Sequence, residues 1–197
     1  MNQLRVMLGI IAIALSPSVF AETPADAGGE ASIASDKLTN IGGNLQFSGP
    51  ASWSGSNTDQ TATFSFTRLT NISPTNYSGT IQVRLIVTTV PLAQIQGSFS
   101  YWNLATYTLP QQLLPGYYYE NVSVTVPWLF PPDGVYYVAL AAFEYEPGCG
   151  GTNNYCIDDY IQFQKRLQVT YPYMTNYVDP SVTTSAVEYF HTVFGHF

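Results

Sequence analysis

The stretch TIQVRLIVTTV (80–90) decides the fold. Ile81, Val83, Leu85 and Val87 fall on one side of an extended chain, and Gln82, Arg84 and Thr88 on the other; Ile86 breaks the alternation. A period of two with one apolar face is a half-buried strand. The same alternation runs through Ala62, Phe64 and Phe66, and through Val122, Val124 and Val126. Ile161, Phe163, Leu167 and Val169 form another stripe, interrupted by Lys165, and Leu45 with Phe47 and Phe99 with Tyr101 suggest shorter strands. VYYVALAAFEY (135–145) is apolar at nearly every position. A strand covered on both faces reads this way, and so does a buried helix. The Asp133-Gly134 turn before it and its eleven-residue length favour a central strand. Gly, Pro, Asn and Ser separate these runs, which predicts an all-β antiparallel β-sandwich of about seven strands over residues 43–170.

Composition limits what such a domain does. Charged residues make up 10% of the 197-residue chain and hydrophobic ones 46%, which excludes global disorder. The net charge is −7, and beyond Arg5 the cations are Lys37, Arg68, Arg84, Lys165 and Arg166. So few cations exclude a surface that tracks phosphates, and with it nucleic-acid binding.

Residues 1–21 read as a secretory signal peptide. Arg5 supplies the positive start, Val6 to Leu15 the apolar run, and Val19 and Ala21 the small residues before a cut at Glu22. The run is too short to span a bilayer, so the expectation is a secreted, periplasmic or cell-surface protein that is not an integral membrane protein after cleavage. Residues 22–42, rich in Ala, Gly, Ser and Thr, read as a flexible leader. Cys149 and Cys156 enclose GGTNNY, and in an oxidising compartment they would close a small disulfide loop.

Three stretches, SPTNYSGTIQVRLIVTT (73–89), LLPGYYYENVSVTVPWLFPPDGVYYVALAAFEY (113–145) and DDYIQF (158–163), resemble an immunoglobulin-like β-sandwich of exported bacterial proteins. The pattern is similar to the cell-adhesion-related domain of bacteria. That resemblance implies a spacer or binding unit and carries no catalytic residues. Within the tail, 171–197, the segment AVEYFHTVFGHF (186–197) looks like the opening of a secreted-protein module of unknown function. This implies a truncated second module; a last strand or a frayed end is the other reading.

Candidate chemistry is sparse. His191 and His196 are five apart and supply at most two metal ligands. Acids gather around the cysteines. If Cys149 faces Cys156 in a regular hairpin, Glu146 falls opposite Asp159 and Pro147 opposite Asp158, and like charges in that register call for screening or a bridging cation. Calcium held by Glu146, Asp158 and Asp159 is one reading, and a solvated acidic rim is the other. A glycosidase pair among the acids of 144–159 would have to flank a cleft, and adjacent acids on one hairpin sit outside a sandwich. There is no GxSxG elbow and no phosphate-binding glycine loop before a helix. The aromatics either fill the inner faces or form a binding surface. Trp102, Tyr118, Trp128 and Phe130 are the candidates for contact with a polysaccharide or a cell-surface protein. The expectation is a non-enzymatic module acting in adhesion, binding or as a spacer, with a carbohydrate-binding module second and a hydrolase third.

Overall fold

The computed structural model describes residues 28–31, 43–95 and 99–177. The expected signal peptide 1–21, most of the expected leader 22–42, both histidines and the aromatic segment 186–197 lie outside the described residues.

Among the described residues ten strands form: β1 Gly28–Ala31, β2 Leu45–Ser56, β3 Thr61–Asn71, β4 Ile81–Thr88, β5 Trp102–Thr108, β6 Tyr118–Pro127, β7 Gly134–Tyr145, β8 Tyr155–Gln162, β9 Leu167–Thr170 and β10 Tyr173–Asn176. They make two antiparallel sheets, ordered β1-β2-β3-β6 and β10-β9-β7-β4-β5, with β8 also pairing β7. The strand β7 is long enough to take β9 at Gly134–Tyr136 and β8 at Ala139–Tyr145 along one edge, and β4 along the other. Among the described residues no helix is long and apolar enough to cross a membrane.

The alternating stripes become the inner faces. Phe64, Phe66 and Leu69 from β3 meet Ile81, Val83, Leu85 and Val87 from β4, and Trp53 tilts against Phe163 at 6.4 Å. Burial of each such side chain contributes about 1.5–3 kcal/mol. The interruption at Ile86 has a physical reason. Ile86 faces outward and is still buried, because a second cluster of Ala139, Ala141, Phe143 and Leu92 covers that face of the second sheet. This is also why 135–145 lacks polar alternation: β7 is covered on both sides.

The sandwich extends further than 43–170. β10 follows Thr170, and Met174 on it is fully buried in the core. Within the stretch expected as a flexible leader, Gly28–Ala31 pairs with β2 through Ala51–Ser54. The stripe 161–169 is two strands, β8 and β9, with the break around Lys165. Near the start of β7 the Tyr136 hydroxyl donates to the carbonyl of Pro132 at 2.7 Å, which pins the β6–β7 connection.

Candidate functional site

At one end of the sandwich, connecting segments bring aromatic side chains together. Trp128 follows β6. Its N–H donates to Gln60 O at 3.0 Å, and the next N–H, of Leu129, donates to Leu104 O at 2.7 Å. One bond goes to the β2–β3 turn and the other to β5, and together they fix the segment. Trp128 turns inward to 5% exposure, while Leu129 stands out at 65%. Phe130 is half-buried, edge-on to Trp128 at 5.8 Å and to Tyr171 at 5.3 Å. Tyr171 is 71% exposed, with its N–H bonded to the Asp133 carboxylate at 2.9 Å. Trp102 opens β5, two residues from Leu104, and lies edge-on to Tyr136 at 5.3 Å with 37% of its surface exposed.

The four aromatics chosen from sequence therefore do not form one surface. Trp102 and Phe130 share this end. Trp128 is part of the core, because its ring fills the space over Gly55, and so it offers no stacking face. Tyr118 sits at the start of β6, about 30 Å along that strand from Pro127. Its ring lies beneath the Arg68 guanidinium at 4.2 Å, and Arg68 pairs with Glu120. Leu129 and Tyr171 complete the exposed end. The signal for Leu129 was its position between two aromatics, one of which had to turn inward.

The acids lie at the other end of β7, and their register is not the one a regular hairpin gives. The disulfide Cys149–Cys156 forms, but Cys156 faces Glu144 and Asp159 faces Ala142. The register shifts by one between Ala142 and Phe143, and the extra residue is Asp158. A bulge re-aims the side chain that it carries. Asp158 thus points between the sheets, where its Oδ2 accepts the N–H groups of Asn44 and Leu45, both at 3.0 Å. Its neighbour Asp159 accepts Phe47 N–H at 2.7 Å. From β7, Glu144 accepts Gly79 N–H at 2.6 Å, and its carboxyl lies beside that of Asp158. Glu144 is 6% exposed and Asp158 4%. Burial, and then the Glu144 carboxyl beside it, push the Asp158 carboxyl up to about 8, against the pull of the two N–H donors.

The three acids named from sequence as calcium ligands are not brought together. Asp158 and Asp159 accept backbone N–H groups of β2 and the residue before it, and Glu146 lies exposed beyond the strand, facing neither. Among the described residues no three His, Cys, Asp or Glu side chains converge. Comparison of the chain with protein-family models, curated proteins and solved structures gives no match.

Proposed function

We propose that the chain is an exported, non-enzymatic, immunoglobulin-like module that binds a protein partner through the aromatic end. Export rests on the signal-peptide pattern of 1–21 and on the disulfide. The immunoglobulin-like reading is supported by the strand order, β2-β3-β6 packed on β5-β4-β7-β8, and by Tyr136, whose hydroxyl reaches back four residues at the β6–β7 corner.

One observation carries the binding role: Leu129 and Tyr171 stand out from backbones pinned to Leu104 and Asp133, with Phe130 edge-on to Tyr171. A rigid apolar anchor among rings is the composition of an interface hot spot. The test is retention of the mature chain, wild type and Leu129→Asp, on host matrix proteins, bacterial surfaces and polysaccharides. Retention on protein-bearing surfaces that the substitution abolishes supports the reading. Equal retention of both chains moves the site elsewhere, and no retention leaves a spacer.

Sugar binding is the second reading, favoured by the partly open indole of Trp102. Trp53 and Trp128 are buried, so a fluorescence change on titration with oligosaccharides would report Trp102. An unchanged spectrum rejects it. A hydrolase at 144–159 has less support. Glu144 and Asp158 are buried in mutual contact, whereas glycosidase carboxyls stand about 5–9.5 Å apart across a cleft.

A further inference from the structure

Where the start of β2 passes β8, the sheets are joined by carboxylates. Asn44, Leu45 and Phe47 direct their N–H groups at Asp158 and Asp159. Gly43 packs so closely on the Asp158 side chain that a β-carbon there would collide with it. The groups facing Asp158 are Glu144 from β7 and the N–H groups of Asn44 and Leu45 from the β2 side. On its own strand, Asp159 turns to Phe47 and to the Tyr160 N–H. Glu144 is fixed in turn by Gly79, just before β4.

Glu144 and Asp158 are buried side by side on neighbouring strands, and two carboxylates there would repel, so the seam closes with Asp158 protonated. We propose that this seam is a proton-operated latch: with Asp158 protonated, it and Glu144 hold the start of β2 against β8, and loss of the proton releases residues 43–45. In the released state Asp158 is solvated and ionises as an ordinary carboxylate. The closed latch therefore binds one proton more than the open one from about pH 4 up to about pH 8. Opening becomes easier as pH rises through that window and levels off above it.

The test is amide hydrogen exchange of the mature chain from pH 5 to pH 9, corrected for intrinsic exchange rates. Protection of Asn44 and Leu45 should fall by up to about tenfold per pH unit to pH 8 and then flatten. Asp158→Asn keeps an acceptor for both N–H groups and a donor for Glu144, and it should remove the slope. Glu144→Gln removes the like charge and should shrink it, which keeps the test available if Asp158→Asn does not fold. Protection in the wild type that is constant from pH 5 to pH 8, or the same slope in both variants, overturns the latch.

Discussion

The six-membered ring of Trp128 lies directly over Gly55, leaving no room for a side chain there. This contact closes one end of the core and sets the direction of the whole 128–130 segment. Gly55→Ala should therefore push the indole outward and overpack the end, at a cost of about 1–3 kcal/mol. The check is the midpoint of urea unfolding against wild type. An unchanged midpoint would mean that Trp128 is not held where the structure places it.

Thermal stability should respond to pH in an unusual direction. A carboxyl raised in the folded state contributes stability that is complete below the unfolded value and is lost as pH rises through the folded one. For Asp158 that window runs from about 4 to about 8. The melting temperature should be higher at pH 5 than at pH 8, and Asp158→Asn should flatten the difference. Scanning calorimetry of both chains at the two pH values decides it.

How far the sequence carried the fold depends on what set each feature. Burial of β7 on both faces was legible because Val135–Tyr145 offers no polar alternation, and the stripes of β3 and β4 mark the inner faces directly. The interruption at Ile86 was visible, but its cover was not, since Leu92 lies across the β4–β5 connection. Gly28–Ala31 carries no side-chain pattern from which pairing could be read. Asp158 was assigned the wrong neighbours because the hairpin does not turn symmetrically about the cysteines: Cys156 faces Glu144, five places from a register that pairs it with Cys149, and the bulge at Asp158 then shifts the pairing by one. Trp128 was misplaced for a related reason: its inward turn depends on Gly55, far away in the chain, being small.

Stability and binding should separate at the aromatic end. Leu129→Asp changes an exposed side chain and should alter stability by no more than about 0.5 kcal/mol. Trp102→Ala removes a half-exposed ring from Tyr136 and should cost about 1–2 kcal/mol. If the end binds a partner, both substitutions should weaken retention by at least tenfold. Paired melting and surface-retention measurements test this, and full retention by both variants counts against the site.

Opening the Cys149–Cys156 loop should have a limited effect. The cysteines are seven residues apart, and closing so short a loop is worth about 2.5 kcal/mol in chain entropy. Cys149→Ser with Cys156→Ser should lower the unfolding free energy by about that amount and leave the strand content unchanged. Circular dichroism through a denaturant titration measures both; collapse of the β signal in water would show the bridge to be a condition of folding.

A single strand, β7, links the two places where this molecule departs from a plain sandwich. Tyr136 near its beginning supports Trp102, and Glu144 near its finish meets Asp158, roughly 26 Å farther along. Groups so far apart with no shared partners respond to substitution independently. Residues around Leu129 are thus open to redesign toward new targets without retuning the acid response, and the acid response can be altered without disturbing recognition.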